Sequence, residues 1–187
     1  MDYQVVTDNV FKKLSDTVNP QEVLAVVRMQ DYILDEVLND RDPNNSCIVV
    51  LDQIQDPGNL GTIIRTGEGA GITAVVMSQD TVDHHNPKVI RSTMGSIFRV
   101  PCVVVEDLEA AVNEIKESGV KTYAAHLNGA DISNIEFSND RAFLIGNEAN
   151  GLSEKIANLA DEKIKIPMEG EVESLNAAVA TAILIYR

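Results

Sequence analysis

Six continuous apolar runs, rich in β-branched residues, mark the chain after residue 45: CIVVLDQI (47–54), ITAVVMS (72–78), VPCVVVE (100–106), KTYAAHL (121–127), AFLIGNE (142–148) and KIKIPM (163–168). All but KIKIPM lack a sustained apolar–polar alternation, and the set reads as strands buried in a parallel sheet. The intervening stretches NLGTIIRTGEGA, NPKVIRSTMGSI, DLEAAVNEIKESG, SEKIANLAD and SLNAAVATAILIYR carry the three-to-four-residue period of helices. Asp107, Ser153 and Ser174 are the expected N-caps, and Gly71 and Gly119 the expected helix ends. The pattern predicts an α/β fold, a parallel sheet with helices on both faces. Residues 1–45 differ. YQVV, a helix over 7–15 and EVLAVVR predict a short strand–helix–strand, and 29–46 a helical or loose linker. Too little to bury a core alone, residues 1–45 read as the closing part of another domain, with the main domain at 46–187.

Polar residues gather where the predicted strands end. The first such loop is DPGNLGTIIRT (56–66). Pro57-Gly58 predicts a tight turn and Asn59 a cap for the helix that follows. Leu60, Ile63, Ile64 and Gly67 share the face toward the sheet. Gly61 and Arg65, four apart, lie on another. Two readings of that pair stand open: a ligand approaches over Gly61 beside the guanidinium, or Gly61 packs on a strand and Arg65 pairs with Glu68. The second loop, FLIGNEANGLS (143–153), puts Gly146, Asn147 and Glu148 at a strand's C-terminal end, where open α/β folds bind ligands. The third, IPMEGEVESLNAAVA (166–180), leads into a last helix of small apolar residues, suited to packing on the sheet or to a subunit interface.

In this order, each at the end of a strand, the three motifs resemble those of the SpoU/TrmH-type RNA ribose 2′-O-methyltransferases of the SPOUT superfamily, over about residues 47–187. VTDNVFKKLSDTVNPQEVLAVV upstream is similar to the end of the substrate-binding domain that precedes many members, whose first part is missing here. The resemblance implies a parallel sheet closed by a C-terminal deep trefoil knot, an exception to ordinary chain topology. It implies S-adenosylmethionine as cofactor, held by Gly146, Ile166, Met168 and Leu175 with Leu127, and a homodimer joined through the C-terminal helix. It places Arg65, Asn59, Glu148, Ser174 and Asn176 at the catalytic site. Arg65 matches the family's catalytic arginine; because a guanidinium stays protonated, stabilising the nucleophile's developing charge suits it better than acting as a base. The substrate implied is RNA, ribosomal rather than transfer RNA. One departure is Ala178, where many relatives carry a second serine after the asparagine.

Composition shifts this reading in one respect. A formal net charge of −14 opposes tight binding to a polyanion, so an RNA partner needs a local basic face, for which Lys88, Arg91 and Arg99 are the candidates. Cys47 and Cys102, inside apolar runs, read as reduced core thiols. His84-His85, between Asp83 and Asn86, read as an exposed loop and not a metal site. No stretch is long and apolar enough to span a membrane, and the N-terminus lacks a leader pattern, which predicts a cytoplasmic protein. A Rossmann dehydrogenase needs G-x-G-x-x-G directly after the first strand, whereas GEGAG comes too late and is spaced differently. A non-catalytic RNA-binding module of the same fold is the other alternative; the intact Asn59, Arg65, Glu148 and Asn176 argue against it.

Overall fold

The structure is a computed structural model that describes residues 3–15, 17–147, 149–172 and 174–187. Among these, six strands form one sheet: β1 (Ser46–Leu51), β2 (Ala74–Ser78), β3 (Cys102–Val105), β4 (Lys121–Asp131), β5 (Asp140–Ile145) and β6 (Glu162–Lys165). All are paired parallel, in the order β3-β2-β1-β5-β4-β6. Each predicted run after residue 45 is a strand, and the parallel α/β architecture is as the sequence indicates. The helices are α1 (Asp8–Leu14), α2 (Leu34–Asp40), α3 (Pro57–Ala70), α4 (Pro87–Thr93), α5 (Leu108–Glu117), α6 (Glu154–Leu159) and α7 (Ala177–Ile185).

Alternate residues of the buried strands feed two cores. Val49, Leu51 and Phe143 point to one face, where Leu60, Ile63 and Ile64 of α3, Val89 of α4 and Leu184 of α7 cover them. Ile48, Val50 and Leu144 point to the other, covered by Leu34, Val37 and Leu38 of α2, Val112 and Ile115 of α5 and Ile156 of α6. The chain runs outward from β1 to β3, then crosses so that β5 lies against β1. The helix leaving β1 therefore packs on one face and the helix leaving β5 on the other. The loops between them diverge at the topological switch point, where such sheets form a ligand crevice. Both cysteines are buried, and burial pushes the Cys47 thiol up to about 11 and the Cys102 thiol to about 12, which keeps them protonated and inert.

Two compact units divide the chain, residues 1–30 and 31–187. In the first, α1 forms within the predicted helix but buries no residue, and YQVV and EVLAVVR form no strand. A strand needs a hydrogen-bonding neighbour, and the described residues of this unit supply none for them. The second unit starts ahead of α2, whose Leu34, Val37 and Leu38 belong to its core. The apolar spacing of YILDEVL shows why this segment packs as a helix rather than running as a loose connection.

Candidate active site

The C-terminal ends of all six parallel strands lie along one edge, and the three motifs meet there. Pro57 sits in the first turn of α3, where its missing amide costs nothing. The cap is Asp56, not Asn59: its carboxylate accepts the Asn59 amide at 2.8 Å. The Asn59 side chain is thereby released, and its Oδ1 accepts from Asn176 Nδ2 at 2.9 Å. Asn176, rather than Ser174, caps α7, its Oδ1 accepting the amides of Ala178 at 2.9 Å and Val179 at 3.3 Å. One amide side chain thus fixes the start of α7 and holds it to the start of α3. Ser174 is exposed and Leu175 half-buried.

Gly146 follows β5, and there the backbone folds back on itself. A Cβ at this position would lie 2.0 Å from the Leu152 amide nitrogen and 2.1 Å from the Gly151 carbonyl carbon, so only glycine fits. Asn147 Oδ1 accepts the amides of Ala149 and Asn150, and Asn147 and Gly151 bridge across the turn. Ser153 starts α6 without capping it through its hydroxyl; its own amide donates to the buried carboxylate of Asp52 at 3.1 Å. Leu127 lies on β4 within the irregularity between Ala125 and Ala130, and is 71% exposed. Ile166, just past β6, packs on the core from a half-buried position, and Met168 is 37% exposed. Gly146 and Ile166 therefore stand at the ends of β5 and β6, and Leu127 on β4, the strand between them. Apolar side chains and turn main chain together are what a flat heteroaromatic ring needs. Glu148 lies outside the described residues.

Arg65 is not drawn into this cluster. It sits about 9 Å further along the axis of α3 than Asn59, at six residues of helical rise. It is exposed and makes no hydrogen bond or ion pair with the described residues. Glu68, its expected partner, is held by Arg99 at 2.8 Å and accepts from Ser96 as well. The Arg99 hydrogen bond keeps the Glu68 carboxyl below the usual carboxylate range. Gly61 answers to close packing, though on a helix and not on a strand: its Cβ would fall 2.3 Å from Ser92 Cβ and 2.9 Å from the Val89 carbonyl oxygen of α4. With Arg99 paired, Lys88 and Arg91 on α4 and Arg65 on α3 are exposed cations of this face that form no ion pair among the described residues.

The His84-His85 turn is half-buried rather than exposed, and burial pushes the His84 pKa down. Asp83 Oδ1 accepts the His85 amide at 2.8 Å and lies 3.5 Å from His85 Nδ1, so the turn satisfies its own carboxylate. Sequence reasoning passed over Asp52 and placed Asn147 at the strand end without giving it a role of its own. The polar Asp52 closing an otherwise apolar run, and the Asx-turn spacing of Asn147-x-Ala149, were the available signals.

The sequence profile of the SpoU rRNA Methylase family matches residues 46–186. The chain is 38% identical over 183 residues to the 23S rRNA (guanosine(2553)-2′-O)-methyltransferase RlmP of Bacillus subtilis, covering 97% of this chain and 70% of that protein. It is 32% identical to a putative TrmH family tRNA/rRNA methyltransferase of Staphylococcus aureus, covering 89% of this chain and 68% of the relative. Among solved structures, the AdoMet-bound rRNA methyltransferase from Sinorhizobium meliloti superposes with a TM-score of 0.86 at 33% identity, over 96% of this chain and 68% of that one. The AdoMet complex of the SpoU methyltransferase AviRb from Streptomyces viridochromogenes gives 0.77 at 29% identity, over 84% and 61%. The chain thus spans roughly two thirds of the length of these relatives. With the family profile covering the whole six-stranded domain, the chain belongs to the SpoU rRNA methylase family.

Proposed function

We propose that the chain transfers the methyl group of S-adenosylmethionine to a ribose 2′-hydroxyl of RNA, ribosomal rather than transfer RNA. The observation that carries this reading is the Asn59–Asn176 hydrogen bond, which joins the first and third motifs at the strand edge that also bears Gly146. The named relative with the highest identity quoted above acts on 23S ribosomal RNA, which favours that substrate. When bound, the cofactor supplies an electrophilic sulfonium methyl. The chain fits it: the Gly146 turn offers main-chain groups, and Ile166, Met168, Leu175 and Leu127 offer apolar walls. Asn59 and Asn176 orient the ribose side of the site, Ser174 borders it, the family motif assigns Glu148 a role in it, and Arg65 stabilises the charge that develops on the 2′-oxygen. Residues 46–187 form the catalytic domain, its C-terminal stretch threaded as the family's trefoil knot. Residues 1–45 carry the end of a substrate-binding region.

A cytoplasmic place follows from a ribosomal substrate. Among the described residues no helix is long and apolar enough to cross a membrane. Titration calorimetry is expected to show binding of S-adenosylmethionine or S-adenosylhomocysteine and none of NADH; tight NADH binding with no response to the sulfonium cofactor overturns the reading.

The same proposal includes a homodimer through α7. Val179 and Ile183 on that helix, with Tyr186 after it, are exposed; Ile90, Met94 and Phe98 are exposed on and beyond α4, across α3. Large apolar side chains left in water on both flanks of one helix suit a subunit contact. Ile183 is 37% exposed in the isolated chain, so Ile183→Glu leaves the monomer core intact while burying an unpaired charge in the dimer. Sedimentation velocity is expected to give a dimer for the native chain and a monomer for the variant. Monomer-sized particles for both remove the interface.

A further inference from the structure

The loops leaving β1 and β5 diverge at the switch point, yet two side chains bind them to each other. Asp52, 6% exposed, ends β1's loop side and accepts the Ser153 amide at the far end of the β5 loop. Asn147, at the near end, donates from Nδ2 to the Gln53 carbonyl oxygen at 2.8 Å. Gln53 is held at a φ of +59°, a left-handed conformation that a non-glycine residue adopts only where its surroundings impose it. The Ser78 hydroxyl imposes it from the end of β2, accepting the Gln53 amide at 2.9 Å. Four residues beyond Gln53 begins the helix that carries Asn59 and Arg65.

We propose that Asp52 and Asn147 are positioning residues that clamp the cofactor-side loop, 146–153, onto the loop that aims α3, 52–56, so that seating the methyl donor orders the acceptor side of the site. The inference rests on the methyltransferase reading above and adds coupling between its two halves. Every bond of the clamp joins adjacent loops at the crevice. A ligand that fixes one loop therefore limits the other, whereas unlinked loops at a switch point move apart freely. Asn147 is the separable element: its Oδ1 holds the turn at Ala149 and Asn150, while its Nδ2 alone crosses to Gln53.

Asn147→Asp keeps the acceptor and removes the donor. Hydrogen exchange followed by mass spectrometry, with and without S-adenosylhomocysteine, reads the coupling without any RNA. In the native chain the ligand is expected to slow exchange in 146–153 and also in 53–59. In N147D protection is expected to stay within 146–153, with affinity weakened about tenfold. Asn147→Ser, whose hydroxyl is too short to span to Gln53, gives the same result if the aspartate variant folds poorly. Protection that reaches 53–59 equally in native and variant chains overturns the clamp, as does a native chain whose 53–59 segment never responds. A native chain that binds no S-adenosylhomocysteine overturns the methyltransferase reading itself, and calorimetry on that chain tells the two failures apart.

Discussion

Arg65→Ala is expected to lower methyl transfer by about a hundredfold or more while leaving the melting temperature and cofactor affinity close to native. The structure separates the two roles this arginine could play. A structural arginine would be partnered, and the sequence offered Glu68 for that purpose. Glu68 is instead bound by Arg99 and Ser96, and Arg65 stands exposed with no ion pair to the described residues. Truncating it therefore breaks no packing or charge pair that the fold depends on, and stability should change by no more than an ordinary surface substitution. A ribose hydroxyl is a weak nucleophile, and its oxygen gains negative charge as the methyl transfers. A fixed guanidinium in a site closed by RNA stabilises that charge far more than water does. Arg65→Lys should recover little, because a single ammonium cannot present the planar fork. The measurement is the single-turnover rate on the true RNA at saturating cofactor, beside calorimetry and thermal melts of the same preparations. A native rate in the alanine variant removes Arg65 from the mechanism; a large drop in melting temperature makes it a structural residue instead.

The sheet was legible because its central strands, β1, β2 and β5, are buried on both faces. CIVVL, AVVM and FLI have no polar residue to spare for solvent, and that continuity alone separates a central parallel strand from a half-exposed one. Most helix ends were legible to within two or three residues, although α4 stops at Thr93 where NPKVIRSTMGSI runs on to Ile97, but the choice of cap was not. Asp56 and Asn59 both suit the start of α3, and only the backbone path decides which oxygen meets the free amides. The same holds for Ser174 and Asn176 at α7. That choice has a functional consequence: because Asp56 caps α3, Asn59 is left to reach Asn176.

Contacts between segments distant in sequence were beyond periodicity altogether. Glu68 to Arg99 spans 31 positions and Asp52 to Ser153 spans 101, and nothing in the local sequence at either end selects the partner. The N-terminal strands failed for a different reason. YQVV and EVLAVVR have the composition of strands, but pairing is a property of two segments, and composition describes only one.

Arg41→Ala is expected to destabilise the second unit by about 3–5 kcal/mol, a loss of the size seen when one partner of a buried ion pair is removed. Arg41 directly follows α2, in the stretch the sequence suggests is a helical or loose linker, and its guanidinium is among the most heavily used groups in the fold. It pairs with Asp140 at 3.1 Å, the two side chains being 10% and 12% exposed. It donates to the Leu38 carbonyl at 2.5 Å and to the Ser118 carbonyl at 2.6 Å, tying α2 to the end of α5. Asp140 also accepts from the Ser46 hydroxyl, so one carboxylate joins the first residues of β1 and β5, the strands that flank the switch point. Alanine at position 41 leaves that carboxylate desolvated with a single neutral donor and frees two carbonyls on separate helices. At roughly 2–4 °C per kcal/mol for a domain of this size, the melting midpoint should fall by about 6–20 °C. Asp140→Asn, which keeps the Ser46 bond, should cost less than Arg41→Ala because the cation it leaves unpaired still donates to the Leu38 and Ser118 carbonyls and to the asparagine oxygen. Urea unfolding of the three chains measures this order directly. A midpoint for Arg41→Ala within experimental scatter of native shows that α2 is only laid against the sheet; the predicted order shows that Arg41 holds it there and fixes the base of the two strands from which the cofactor and acceptor loops spring.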